Sequence, residues 1–504
     1  MRKEIIVEDF SGGIANDIRE QSSKGFAISQ HFDNTTSPKK LVPFRDSEED
    51  NTGQVGIVNF AWDSENLWGL GLTLSGGLKT QIYKKTSLTS AWTTTTNSTS
   101  ATTFSDIANL CFIYRDKLYH ANWTQVNSYN LDGSGYTEPI ASAPSISMGG
   151  NDGSQFSTQG LIHSKTDTAY FGYWSLATGG RIWSISGTTE NATALQLPMK
   201  MVPSAIAEYG SYLAILCRPV LGGGGSKIFL WDMVSADVTE VLDCGNGDGW
   251  ILANVGGVLV IVMNQATSEG ITFPTNKIFI KTYAGGVVSL FKTIEDTELT
   301  LGGLSGYKPF YSDIDGLTFS LISTGTKFPT GLYTFAKGAG TGYQLTSSRL
   351  VHNDTTITNV VGIYKVGDVV YTAYNYVKNV SSQVGRTSET EDYNNTAFIE
   401  TVKYNCGSIN KNKRLVGISV SHEPLTSGQT VTVLYRKDSQ TSYTTIGSNT
   451  EVDSVFKEYI TEGTVGKNLP EFHEIQFRIE STGGAVITGW RKVYEEKDLL
   501  LDNK

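Results

Sequence analysis

The chain has 504 residues, with 40 Lys and Arg against 50 Asp and Glu, a net charge of -10. Charged residues are only 18%, aromatics are 11%, and there are 53 glycines but 12 prolines. This excludes a disordered chain, which lacks apolar residues, and a coiled coil, which is built from Ala, Glu, Lys, Leu and Arg; the acidic balance argues against a surface made to grip phosphates.

The length allows about three ordinary domains, or one large all-β body with a smaller one. At the start, Met1-Arg2-Lys3 is basic, but only Ile5-Ile6-Val7 follows before Glu8. A signal peptide needs an apolar run of about 7–15 residues. The longest apolar run, Val255 to Met263, is broken by two glycines and is shorter than the ~20 residues of a membrane-spanning helix. The expectation is a protein made in the cytoplasm without a signal peptide and with no membrane segment. Residues 1–52 have little apolar periodicity and read as an extended arm.

From residue 53 a hairpin recurs. An apolar strand enters a short turn and a second apolar strand leaves it, at Val58–Trp68, Leu110–Tyr119, Leu161–Tyr170, Ala205–Leu213, Leu252–Leu259, Pro309–Thr318 and Val361–Val370. The turns read as the dipeptides Glu65-Asn66, Asp116-Lys117, Asp167-Thr168, Gly210-Ser211, Gly256-Gly257, Asp315-Gly316 and Gly367-Asp368. Gly, Asn and Asp tolerate the positive φ of hairpin turns. The residues after the turns, Leu67, Leu118, Ala169, Tyr212, Val258, Leu317 and Val369, recur about every 50 residues, the spacing of propeller blades. An apolar–aromatic element follows on an expected outer strand: Ile82-Tyr83, Ser128-Tyr129, Ile182-Trp183, Ile228-Phe229, Ile278-Phe279 and Leu332-Tyr333. The seventh unit lacks a counterpart. Residues 53–400 are therefore expected to form a β-propeller of about seven blades, with Trp68, Tyr119, Tyr170 and Leu213 on equivalent strands.

From about 401 the pattern changes to alternation, in Leu415–Val420, Gln429–Arg436 and Phe472–Glu480. Alternation implies one buried and one wet face. Residues 401–504 are expected to form an antiparallel β-sandwich with a charged tail.

No catalytic grouping emerges. The nearest sialidase-type box, Ser312–Phe319, is off by one residue and unrepeated, and reads as a turn. No G-x-S-x-G elbow occurs. The histidines 31, 120, 163, 352, 422 and 473 form no ligand pair. Asn130–Gly133 and Asn246–Gly249 resemble pieces of calcium loops but lack the closing glutamate. Cys111, Cys217, Cys244 and Cys406 form no C-x-x-C pair and read as buried free thiols. No catalytic residue, metal ligand or cofactor is assigned, and the chain is expected not to be an enzyme.

The arm contains Glu8-Asp9-Phe10-Ser11-Gly12-Gly13-Ile14, then Lys24-Gly25-Phe26, His31-Phe32-Asp33 and Ser37-Pro38-Lys39-Lys40-Leu41-Val42-Pro43. This resembles the opening of tailed-bacteriophage virion proteins, and the architecture is similar to short-tail nozzle proteins with propeller bodies. The run Glu471–Glu480 followed by Gly483-Gly484-Ala485 is also similar to such proteins. The resemblance implies a structural tail protein of the virion, nozzle or tail-tip, forming an oligomeric ring that extends the DNA conduit for DNA ejection and mounts other tail parts. Its implied partners are copies of itself in a ring homo-oligomer, a hexamer being one size, and other tail or portal-adaptor proteins. Genomic DNA would pass without tight binding. The alternatives are a receptor- or glycan-binding propeller on the same particle, and a bacterial glycan-active propeller enzyme. In the ring reading, Phe10, Gly12, Gly13, Ile14, Phe26 and Phe32 are the expected oligomer-contact residues. The arm is equally open to another role, the closing strand of its own propeller, because the seventh unit is incomplete.

Overall fold

Recurring hairpins and alternating strands become one all-β chain. The computed structural model describes residues 2–14, 25–33, 37–50, 56–73, 79–97, 110–122, 125–137, 155–157, 159–175, 177–220, 225–265, 276–297, 299–303, 308–324, 328–338, 342–346, 349, 351, 357, 359–377, 381–387, 392–393, 395–406, 410–460 and 470–496. Among these residues all regular elements are strands. Two compact units form: Glu48–Thr330 with Asp354–Thr387, and Met1–Ser47 with Gly331–Asn353 and Ser388–Lys504.

The first unit is a β-propeller in which each hairpin opens an antiparallel sheet. Ile57–Trp62, Leu67–Thr73, Lys79–Lys85 and Thr93–Asn97 lie side by side in chain order. The same plan holds for Cys111–Tyr114, Lys117–Asn122, Gln125–Asn130 and Tyr136–Thr137. In the third sheet Gln155–Phe156 and Leu161–His163 share the first position, followed by Thr168–Ser175, Gly179–Ser186 and Thr189–Gln196. The fourth is Met201–Tyr209, Tyr212–Pro219, Gly225–Trp231 and Glu240–Asn246, and the fifth Asp248–Val255, Val258–Asn264, Lys277–Ala284 and Val287–Glu295. The sixth opens with Leu299–Leu301 and Phe310–Ser312, both paired to Gly316–Ser323. The seventh has Val360–Val366, Val369–Val377 and Ser381–Thr387. Trp68, Tyr119, Tyr170 and Leu213 all fall on second strands. The apolar–aromatic pairs of the first five repeats fall on third strands, and Leu332-Tyr333 falls on Gly331–Lys337.

Three turns differ from the expected two residues. Tyr114↔Lys117, Tyr209↔Tyr212, Val255↔Val258 and Val366↔Val369 close two-residue turns. The second-sheet turn is thus Arg115-Asp116, with Arg115 at φ 54, and not Asp116-Lys117. Trp62↔Leu67, His163↔Thr168 and Ser312↔Leu317 instead close four-residue loops. In two of these an aspartate replaces the glycine solution: Asp63 Oδ1 accepts the N–H groups of Glu65 and Asn66 at 2.8 and 2.5 Å. Asp313 Oδ1 does the same for Asp315 and Gly316, at 2.9 Å each.

Second strands lie between neighbouring sheets and are buried on both faces, so all eight residues of Thr168–Ser175 are buried. Outer strands keep a wet side, as the alternation in Thr189–Gln196 shows. Aromatic pairs join successive sheets: Trp68–Tyr129 at 5.9 Å, Phe112–Phe171 at 6.0 Å, Tyr170–Trp231 at 5.9 Å, Tyr209–Tyr283 at 5.5 Å, Tyr311–Tyr364 at 5.3 Å and Phe60–Tyr371 at 6.4 Å.

The seventh sheet takes its fourth strand, Ser47–Glu49, from the other end of the sequence. Asp50 N–H donates to Val384 O at 2.8 Å. A buried ion-pair latch secures this closure. Lys85 Nζ sits 2.7 Å from Asp50 Oδ1, and Trp92 Nε1 donates to Asp50 Oδ2 at 2.9 Å. Arg386 Nε lies 2.5 Å from Glu48 and 3.4 Å from Asp50. First-sheet and seventh-sheet side chains therefore meet on the closing strand.

The other unit is a two-sheet sandwich. One sheet orders Arg2–Val7, Ile487–Glu496, Lys413–His422 and Phe456–Ile460, with Glu471–Phe472 also on Lys413–His422. The other orders Gly13–Ile14, Gly25–Gln30, Ala397–Thr401, Ile475–Thr482, Thr430–Lys437 and Thr444–Asn449. Tyr459 of the first donates its hydroxyl to Val431 O of the second at 2.8 Å. The sandwich thus draws strands from the arm as well as from 401–504, which redraws the expected divisions at 52 and 400. The expected single strand Phe472–Glu480 is interrupted, because Asp438 Oδ1 takes the N–H groups of His473 and Glu474 at 2.7 and 3.0 Å.

Candidate functional site

The residues expected to anchor a neighbouring subunit are used inside the chain itself. Phe10, Phe26 and Phe32 are fully buried, and Ile14 is 5% exposed. Phe10 packs its ring 5.3 Å from Trp490, and its N–H donates to Pro38 O at 2.6 Å. Gly13 adopts φ +57, and a Cβ there would stand 2.7 Å from Leu345 O. The tight bend expected at Gly12-Gly13 is therefore a property of Gly13; Gly12 is exposed. The oligomer-anchor assignment of Phe10, Gly13, Ile14, Phe26 and Phe32 is corrected: a buried apolar side chain already packed in its own sandwich is unavailable to a partner.

The sequence motifs for chemistry resolve into turns. Ser312–Phe319 is the hairpin around Asp313, and Asp132 Oδ1 accepts Ser134 N–H at 2.7 Å beside Gly133 at φ +82. The four cysteines are buried and unpaired, and burial pushes the Cys111 and Cys244 thiols up to about 12. Among the described residues no group of three or more His, Cys, Asp or Glu is placed to hold a metal ion. Nor is any helix long and apolar enough to cross a membrane.

A cluster that the sequence did not announce lies between the fourth, fifth and sixth sheets. Trp250, near the start of Asp248–Val255, is 5% exposed. Arg218, near the end of Tyr212–Pro219, places its guanidinium 4.2 Å from the indole centre. Lys308 approaches the same ring at 5.8 Å and donates to Leu301 O at 3.2 Å. The two cationic centres are therefore within about 10 Å of each other. Asp248 stands directly opposite Asn264 in the strand pairing, so their side chains share one face. Arg218 and Asp248 are part-exposed; Lys308 and Asn264 are buried.

Burial lowers the Arg218 guanidinium to about 10, against the attraction of Asp248. Burial, then repulsion from Arg218, lowers Lys308 to about 8. Burial raises the Asp248 carboxyl, with Arg218 opposing. Trp250 Nε1 and both amide atoms of Asn264 have no hydrogen-bond partner among the described residues. The arrangement sets two cations by one indole ring, with the Asp248 carboxylate attracting Arg218. No local motif encodes it, since its members come from three repeats; only the placing of Arg218 and Trp250 near strand ends, where blade loops begin, could have signalled it.

Across the ring, Gln159 Nε2 of the third sheet region donates to Phe310 O of the sixth at 2.6 Å.

Neither a protein-family profile nor a curated protein sequence matches this chain. Solved structures with similarity include the N-terminal domain of Nup159, at 10% identity and a TM-score of 0.38, covering 72% of this chain and 99% of that one. The WD40 β-propeller domain of Doa1 is similar at 9% identity and TM-score 0.36, covering 69% and 98%. The SapL1 lectin, solved with alpha methyl fucoside, is similar at 13% identity and TM-score 0.33, covering 60% and 98%.

Proposed function

We propose that this chain is a structural protein of a tailed-phage virion, placed in a tail ring of nozzle or tail-tip type. One observation carries the reading. The two stretches that resemble such proteins, hundreds of residues apart in sequence, build one structural unit. Phe10 of the opening motif packs on Trp490, while Ile475–Thr482 of the C-terminal run shares a sheet with Gly13–Ile14 and Gly25–Gln30. Such a resemblance would be incidental if the two stretches served unrelated parts of the molecule. The role is non-catalytic: the chain closes its own propeller and locks both described ends into a sandwich, which suits a rigid assembly part.

The test is the composition of particles and the mass of the protein. The chain should co-purify with tailed particles and an antibody against it should label the tail. The purified full-length protein should form a ring of defined mass. Absence from the particles, or a protein that stays monomeric at high concentration and binds DNA tightly at physiological salt, overturns the reading. A second reading, a receptor- or glycan-binding propeller on the particle, is favoured by the cluster around Trp250.

A further inference from the structure

We propose that Lys85 and Asp50 react with each other to form an intramolecular isopeptide bond, a covalent staple that seals the propeller at its closing strand. The bond depends only on the latch and not on where the protein works.

Three observations converge. The first is proximity. Lys85 Nζ stands 2.7 Å from Asp50 Oδ1. The carboxyl carbon lies at most one C–O bond, about 1.2 Å, beyond that oxygen. The nitrogen is therefore near the roughly 3–3.5 Å separation from which a bond forms, and groups held so react at effective concentrations of about 10⁵–10⁸ M. The second is burial. The two side chains are 1% and 5% exposed, and the rings of Trp92 and Tyr371 lie 5.6 and 5.9 Å from Nζ. Amide formation needs a neutral amine and a carboxylic acid. Burial lowers the Lys85 ammonium and raises the Asp50 carboxyl, so it moves both groups that way against their mutual attraction. Arg386 Nε is 3.4 Å from Asp50 Oδ1, but it stands closer to Glu48, at 2.5 Å, which takes up its charge. The third is the place of the other carboxyl oxygen. Trp92 Nε1 donates to Asp50 Oδ2 at 2.9 Å, so the two oxygens have different surroundings and different roles.

The step balances without an oxidant or a co-reactant. A proton moves from Nζ to Oδ1 along their 2.7 Å contact, leaving an amine beside a carboxylic acid. The lone pair exposed on Nζ attacks Cγ, and negative charge gathers on Oδ2, where the Trp92 N–H receives it. A second Nζ proton passes to Oδ1, the Cγ–Oδ1 bond breaks and water leaves. The last N–H keeps Ser90 O as its acceptor, the partner Nζ already has at 2.5 Å. A buried ion pair is costly to hold, and the neutral amide removes both charges from the interior. Asp50 directly follows the closing strand Ser47–Glu49, and Lys85 ends the third strand of the first sheet. The bond therefore ties the last sheet of the ring to the first. The four cysteines are unpaired and supply no such tie.

Mass spectrometry of the intact, denatured full-length protein tests this. The wild type should weigh one water less than its sequence requires, and a tryptic digest should yield a branched peptide joining the segments that carry Asp50 and Lys85. Lys85→Met and Asp50→Ala should each show their full sequence mass. If neither variant folds, the branched peptide of the wild type decides, because it reads the bond directly. A wild type at full sequence mass after prolonged incubation in the folded state, with no branched peptide, overturns the proposal. So does a lost water that maps to other residues or that persists in either variant.

Discussion

Asp50→Ala should open the propeller at its seam. Asp50 is the shared acceptor of the latch, holding Lys85 at 2.7 Å and Trp92 Nε1 at 2.9 Å while its own N–H continues the pairing of the closing strand to Val384. The side chains of Lys85 and Asp50 are 1% and 5% exposed. Burial raises the Asp50 carboxyl and lowers the Lys85 ammonium, so both ions are held against a desolvation cost and each depends on the other. Taking away one member of a buried pair leaves an uncompensated charge, at about 3–5 kcal/mol. For a unit of this size that corresponds to a fall in melting temperature of about 5–15 °C. Circular dichroism melts of the full-length protein read the shift, and limited proteolysis near residue 50 reads the release of the strand. Asp50→Asn, which keeps the shape of the side chain and one of its two acceptor oxygens, should lose less. The double variant Asp50→Leu with Lys85→Met removes both charges and should melt above either single variant, since a buried pair replaced by apolar groups is often neutral. An Asp50→Ala protein that melts within a degree or so of wild type, or a double variant whose loss equals the sum of the two singles, would show that the latch holds nothing.

Phe10→Ala should destabilise the sandwich by about 3–5 kcal/mol, the usual cost of emptying a buried phenylalanine site, and leave the mass measured by light scattering unchanged; a lower mass at unchanged stability would restore the anchor role. Gly13→Ala combines a left-handed φ with a Cβ 2.7 Å from Leu345 O, and calorimetry should record a loss of about 1–3 kcal/mol. His120 is buried, with its pKa lowered by that burial from 6.5 to about 4. Its folded pKa is depressed, so the unfolded chain binds the proton first: the contribution is present above about 6.5 and is lost as pH falls toward 4. Up to about 3 kcal/mol is at stake, and denaturant titrations of His120→Gln between those pH values should show a flatter acid slope than wild type.

The repeat was legible because hairpins are local: the second strand needs a run of apolar residues and the turn needs a few special ones, all within about a dozen residues. That is why Trp68, Tyr119, Tyr170 and Leu213 could be matched without structural information. Turn lengths were less legible, because Asp63 and Asp313 close four-residue loops by accepting backbone N–H groups with the side chain, and the sequence shows an aspartate in either case. The seventh sheet could only be read as incomplete, since Ser47–Glu49 is too short and too polar to announce itself as a strand. Phe10, Phe26 and Phe32 were recognised as anchors, but not for what they anchor: an apolar residue in a polar segment declares that it will be buried, never by which surface. The Trp250 cluster stayed hidden for the opposite reason, as its members are ordinary residues made unusual by convergence from three sheets.

The same convergence constrains any role in guiding a genome. In a ring of seven sheets the third and sixth stand on opposite sides of the axis, yet Gln159 and Phe310 are joined by a direct 2.6 Å hydrogen bond. The centre is therefore spanned by side chain and backbone, and it has no room for a duplex whose major groove alone is about 12 Å wide. On the proposed tail-ring reading, a conduit would run between copies, with each propeller standing in its wall. Selection on such a wall differs from selection on a pore. Such a wall would need blades that resist separation, and here the shared latch on Asp50 and the aromatic pairs join neighbouring sheets. It would also need to avoid holding passing phosphates, which a net charge of -10 favours.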